Sequence, residues 1–234
     1  MWSMPTQPVW VGPPSLPRLA DGVVDVWRAD LAACGDGVTE TLTAHERERA
    51  ARFLREVDRR RWARARGVLR SLLAIYLDAD PSSLAFVTEA QGKPALEPLS
   101  LLRFNLSHSG EIALYALAIG REVGVDVEVG ERPVDAVRLA RETMGEEEAR
   151  RLEALGPADR QRAFLVAWTR YEAVQKCRGT GIGAEAPGDG APVWASSLAL
   201  GAGTIGALAV EGDAPPTVRL WQWSSGEPDP QAGS

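Results

Sequence analysis

With 234 residues, 45% of them apolar and 25% charged, the chain can bury a core as one large domain or two small lobes, in the composition of a soluble globular protein. A net charge of −6 argues against a broad nucleic-acid surface, and two cysteines, Cys34 and Cys177, are too few for a disulfide framework or a cysteine zinc site. The first residues lack the basic-then-apolar order of a secretion signal and the most apolar run, 112–119, is too short to cross a bilayer, so a cytoplasmic protein is expected.

In chain order, residues 1–19 are proline-rich and read as extended. A strand is predicted over 23–31. Thr43 with Glu46 three places on forms a capping box that opens a helix, and Asp58 can cap a second one with Trp62, Leu69, Leu72, Leu73 and Tyr76 as its apolar stripe. A short strand at 84–88 precedes the loop EAQGKPALEP. Apolar runs at 101–106, 112–119 and 123–129 read as strands joined by short turns, the first of them at Ser107-His108-Ser109. Helices follow at 135–143, 146–155 and 159–177, the last stopping at GTGIG. Strands at 193–200, 205–210 and 217–223 lead into a polar tail that reads as disordered. This order predicts an α+β protein of two similar α/β lobes, 20–105 and 106–223, with a tail at 224–234, although no internal sequence repeat is visible.

Several groups can carry chemistry, and each has an ordinary alternative. VGVDVEVG (123–130) alternates, so Asp126 and Glu128 share one strand face, roughly 7 Å apart between alpha carbons, where they can hold one hard cation or simply face solvent. Trp168, Glu172 and Lys176 follow at i, i+4 on one helix face; Glu172 and Lys176 are a metal carboxylate beside a phosphate-binding ammonium, or an exposed ion pair. His108, between Ser107 and Ser109, suits phosphate oxygens or a hydrogen-bonded turn. Lys93, in QGKP, is a weak phosphate grip. Only Lys93 and Lys176 are lysines among 26 basic residues, which draws notice to them, since a compact ammonium does what a planar guanidinium cannot.

The order of these groups is more specific than any one of them. GKP, then F-N-x-S-H-S, then G-V-D-V-E, then W-T-x-x-E-A-x-x-K before a G-x-G turn resembles the 4′-phosphopantetheinyl transferases, and more closely their larger surfactin-type (Sfp-like) class, over about Thr43 to Ile182. The resemblance implies two pseudo-symmetric lobes with the active site in the cleft between them. It implies Mg²⁺ held by Asp126, Glu128 and Glu172 with the diphosphate of coenzyme A, which is a co-substrate. It also implies Lys176, Lys93, Ser107 and His108 at the coenzyme A phosphates, and Arg49 at the 3′-phosphate with Arg61 as its partner. The activity implied is transfer of the phosphopantetheine arm to a serine of an apo acyl or peptidyl carrier protein, with release of 3′,5′-ADP. Catalytic roles then fall to Glu172, Lys176, His108 and Glu148, the last as the base.

Three departures from the family pattern stand out. Tyr171 occupies the position of a lysine, the F-S-x-x-E segment appears as Met144-Gly145-Glu146-Glu147-Glu148, and the second sheet is expected to be trimmed after Trp223. Two other readings stay open at this point. One is a coenzyme A- or carrier-binding homologue with little turnover; the other, ranked lower, is an unrelated metal phosphohydrolase. A monomer is expected, because a two-lobed chain can complete its own site, and no membrane or nucleic-acid partner is expected.

Overall fold

A computed structural model describes residues 9–12, 17–88, 92–130, 134–180, 191–201 and 203–224. Much of the expected extended segment 1–19, residues 89–91 of the QGKP loop, the GTGIG turn beyond Thr180, and the tail from 225 lie outside the described residues.

The chain follows one plan twice. The first series runs β1 (Val23–Asp30), α1 (Gly37–Glu40), α2 (Ala44–Ala51), α3 (Glu56–Leu77), β2 (Ala85–Thr88), β3 (Pro94–Glu97), β4 (Leu102–Ser109) and β5 (Ile112–Ile119). The second runs β6 (Val123–Val129), α4 (Ala136–Thr143), α5 (Glu146–Glu153), α6 (Pro157–Arg178), β7 (Val193–Ala199) and β8 (Thr204–Glu211). In each, the opening strand pairs antiparallel with the last strand, which pairs antiparallel with the one before it, giving β4-β5-β1 and β7-β8-β6. Each series also carries one 22-residue helix, α3 or α6. This is the α+β, two-lobed architecture expected from the sequence. The plan repeats while the residues do not, because a layer needs only apolar residues at the right period.

The closing strand, β9 (Thr217–Gln222), does not extend the second sheet. It pairs parallel with β1, so the larger sheet runs β4-β5-β1-β9 and takes strands from both ends of the chain. Val11 in turn bridges to Trp221. The lobe boundary expected at 105/106 falls inside β4.

The layers stack as helix, sheet, sheet, helix. Trp27, Ala29, Ala113, Tyr115, Leu117 and Phe104 face the α3 stripe of Val68, Leu69, Leu72 and Leu73. Val24, Val26, Leu114, Ala116 and Ala118, on the opposite face of the same sheet, pack against Val123, Val125, Val127, Leu208 and Val210 of the second. The far face of that second sheet is covered by α6 through Ala173 and Cys177 on Ala207 and Ala209. All these core side chains are almost fully buried, each removing apolar area worth about 25 cal/mol per Å² from water.

Local signals set the helix ends. The Thr43 hydroxyl accepts from Glu46 N while the Glu46 carboxylate accepts from Thr43 N, as the sequence predicts. The same Glu46 carboxylate also takes Arg66, half-buried, and Arg70, buried, and so carries α2 onto α3. Burial opposes its ionisation, yet the Arg70, Thr43 and Arg66 bonds outweigh burial and hold its pKa below the usual value. Asp58 is not a cap. The helix begins at Glu56, and Asp58 sits in its first turn, where a carboxylate still suits the exposed N–H groups.

Two loops of the sequence reading are strands. PALE within the QGKP loop is β3, antiparallel to β2. Ser107-His108-Ser109 continues β4, and the chain reverses only at Gly110-Glu111, a two-residue hairpin with Gly110 at φ +56°. The polar run remains in the strand because its hydroxyls find partners on β6, Ser107 on Asp126 and Ser109 on Glu128.

Candidate active site

The site forms where β4, β6 and α6 meet, and Gly124 makes the meeting possible. Its position on β6 faces α6 so closely that a Cβ there would stand 2.0 Å from the carbonyl oxygen of Ala173 and 2.4 Å from the nitrogen of Cys177. Only a residue without a side chain lets the helix backbone lie on the strand at this distance. Asp126, two residues along the same strand face, is thereby brought against Glu172 and Lys176, which flank Ala173 and Cys177 on the helix.

Asp126 is 2% exposed. Its Oδ1 accepts from Lys176 Nζ at 2.6 Å and from Ser107 Oγ at 2.9 Å, while Lys176 Nζ also reaches Ser107 Oγ at 3.0 Å. Its Oδ2 is buried with no hydrogen-bond partner. Glu172 Oε2 lies 3.8 Å from Lys176 Nζ. The Glu172 carboxyl is pushed up to about 7, by burial first and then by the negative charge of Asp126, with Glu128 adding to it and Lys176 opposing. Glu128 is half-buried and accepts from Ser109 Oγ at 3.1 Å. The three carboxylates named from the sequence therefore feel one another, together with Lys176 and Ser107.

His108 alternates with Ser107 and Ser109 along β4 and feels the positive charges of Lys176 and Arg61. Burial lowers its pKa and both cations lower it further, against a weaker pull from Asp58, so the imidazole is neutral at neutral pH. Arg61 itself pairs with Glu111 of the β4–β5 turn at 2.8 Å.

The remaining expected residues lie elsewhere. Lys93 Nζ is committed to Glu122 Oε2 at 2.6 Å and to the carbonyls of Val123 and Cys177, which ties the β2–β3 hairpin to β6 and α6 rather than presenting a free ammonium. Arg49 projects from α2 over the Trp62 ring and, with His45, Arg52 and Phe53, lines an open pocket of about 380 Å³. Glu148 is on α5, bonded through both oxygens to Arg151. Tyr171 stacks obliquely on Trp168 with ring centroids 6.0 Å apart.

Gly124, Asn105 and Ser109 stand inside the motifs quoted from the sequence but were given no role of their own there. A signal for them was present. Asn105, Ser107 and Ser109 alternate along a strand, and a glycine stands two places before Asp126 on its own face.

The donor set suits a hard divalent cation. A buried carboxylate oxygen without a partner is costly, and crowded carboxylates that hold a proton near neutrality are relieved by positive charge. Among the described residues, no three His, Cys, Asp or Glu side chains already form a coordinating cluster; Lys176 supplies the neutralising charge instead. Asp126 Oδ2, Glu128 and Glu172 are the groups that can take the cation, all of them oxygen donors.

Known proteins match the chain in the same two halves. Residues 27–119 match the family described as 4′-phosphopantetheinyl transferase, N-terminal, and residues 122–193 match the 4′-phosphopantetheinyl transferase superfamily. The 4′-phosphopantetheinyl transferase HetI of Nostoc sp. is 37% identical over 176 residues, covering 73% of this chain and 74% of that protein. A putative 4′-phosphopantetheinyl transferase of Synechocystis sp. is 34% identical over 148 residues, 62% of this chain and 60% of its own length. The 4′-phosphopantetheinyl transferase of Bacillus subtilis is 26% identical over 147 residues, 63% and 64% respectively. With this two-part match and this degree of identity, the chain belongs to the 4′-phosphopantetheinyl transferase superfamily.

Proposed function

We propose that the chain transfers the 4′-phosphopantetheine group of coenzyme A to a serine of an apo acyl or peptidyl carrier protein, releasing 3′,5′-ADP, with Mg²⁺ held by Asp126, Glu128 and Glu172. The observation that carries this reading is the convergence of Lys176 and Ser107 on one oxygen of Asp126, with Glu172 beside Lys176 and the second Asp126 oxygen buried without a donor.

The serine oxygen forms a bond to the phosphorus bearing the pantetheine arm, the bond from that phosphorus to the ADP oxygen breaks, and the serine proton passes to a base. Held by the three carboxylates, a divalent cation would neutralise negative charge on the diphosphate. Lys176, on Asp126 Oδ1 at 2.6 Å, would also donate to a diphosphate oxygen. His108, neutral, offers a single N–H to phosphate without competing for the proton. Glu148, the base that the resemblance implies, is bonded through both oxygens to Arg151 and would have to leave it to accept the serine proton. The pocket of His45, Arg49, Arg52 and Phe53 supports a 3′-phosphate contact through guanidinium and imidazole donors, with Phe53 offering an apolar face.

Lys93 enters this reading as a brace, with any phosphate contact requiring it to leave Glu122. A cytoplasmic monomer is part of the proposal; among the described residues no helix is long and apolar enough to cross a membrane. The test is chromatographic detection of 3′,5′-ADP from coenzyme A and Mg²⁺. The reading expects it only when an apo carrier protein is present. Phosphate release without a carrier would favour a hydrolase, and no release at all would favour a binding homologue.

A further inference from the structure

We propose that Ser109 is a positioning residue for Glu128, fixing that carboxylate for the divalent cation; the inference rests on the metal reading above. β4 and β6 are each the edge strand of their own sheet, and they run in the same direction alongside each other. Side chains of β4 make the bonds across this seam. Asn105 Oδ1 accepts from Val125 N at 2.9 Å, Ser107 Oγ donates to Asp126 Oδ1 at 2.9 Å, and Ser109 Oγ donates to Glu128 Oε2 at 3.1 Å.

Ser109 does two things at once. Its oxygen also accepts from Val129 N at 3.2 Å, so the backbone supplies that proton and the hydroxyl hydrogen is left for Glu128. One hydroxyl thereby grips the main chain next to Glu128 and the Glu128 carboxylate itself. This matters because burial runs out along β6: Asp126 is buried, Glu128 half-buried and Val129 exposed. Packing holds Asp126, whereas a longer glutamate at a strand end needs a bond to stay in one rotamer. Partners that orient ligating carboxylates commonly change metal affinity by about 10- to 100-fold when removed.

The experiment is titration of the full-length protein with Mn²⁺, following free Mn²⁺ by electron paramagnetic resonance, alone and with coenzyme A. Ser109→Ala is expected to weaken Mn²⁺ binding about 10-fold or more, while Ser109→Thr, which keeps the hydroxyl, binds as wild type. In a Glu128→Ala background, Ser109→Ala should have no further effect, which separates positioning from general loss of structure. In turnover, Ser109→Ala should raise the Mg²⁺ requirement and leave the KM for carrier unchanged. Wild-type Mn²⁺ affinity in Ser109→Ala, or an equal loss in both backgrounds, overturns the role of Ser109. Equal Mn²⁺ binding by wild type and Asp126→Ala instead overturns the metal reading, and this proposal with it.

Discussion

Lys176 donates to one oxygen of Asp126 at 2.6 Å while the other oxygen of the same carboxylate, fully enclosed, accepts no hydrogen bond unless Glu172 carries a proton. A buried carboxylate in this state is half answered. The ammonium and an added cation are complementary, each suited to one oxygen, and this arrangement gives the first prediction.

Lys176→Met removes the one strong donor to Asp126 and should lower stability by about 1–3 kcal/mol in metal-free buffer. Mg²⁺ should raise the unfolding temperature of wild type and raise that of the variant more. Thermal unfolding with and without Mg²⁺ decides this. A variant indifferent to Mg²⁺ would contradict a cation at Asp126.

Gly124→Ala places a methyl group into the backbone of α6, beside Ala173 and Cys177. The helix must shift, at a cost of about 1–3 kcal/mol, and Glu172 and Lys176 shift with it. Turnover should fall more than stability alone explains. Gly37→Ala is the control, since a methyl group there meets nothing within 4 Å. Urea unfolding and steady-state rates of the two variants measure the difference; equal behaviour would remove Gly124 from the account.

The Glu172 carboxyl, pushed up to about 7, makes a signed prediction about pH. The folded chain holds this proton more tightly than the unfolded chain, so in metal-free buffer stability falls as pH rises from the ordinary glutamate range through about 7. Glu172→Gln should remove that fall, and saturating Mg²⁺ should suppress it. Denaturant titrations at a series of pH values read it directly. A stability that rises across this window, after subtraction of the Glu172→Gln profile, would contradict the assignment.

Arg49 is distant in role from the carboxylates and predicts a different signature. Arg49→Ala should raise the KM for coenzyme A about tenfold or more, one charge-assisted hydrogen bond being worth roughly 1.5–3 kcal/mol, while the KM for dephospho-coenzyme A changes little. Equal changes for both substrates would remove Arg49 from the 3′-phosphate.

Much of this molecule was legible from residue order, and the exceptions have physical causes. Thr43 and Glu46 announced a capping box and form one, because both bonds are local. That Glu46 also anchors Arg66 and Arg70 was not legible, since those arginines lie 20 and 24 positions away. Asp126, Glu172 and Lys176 could be named from motif order, but the close approach that joins them depends on Gly124, whose importance is a missing atom. Ser107 and Ser109 read as a turn because polar side chains commonly mark one; here they extend β4 and bond across to β6. β9 carried a strand pattern, yet nothing in that pattern says which of two sheets it joins. Lys93 and Glu148 were named from motif and register, and neither signal could show their partners, Glu122 and Arg151.

The central claim is most directly tested by intact-mass measurement of apo carrier proteins incubated with this protein, coenzyme A and Mg²⁺, with and without chelator. The account predicts a gain of one phosphopantetheine on at least one carrier, abolished by chelator and by Asp126→Ala. A gain that survives both would contradict the metal site, and no gain on any carrier, with coenzyme A still bound by calorimetry, would contradict the transferase itself.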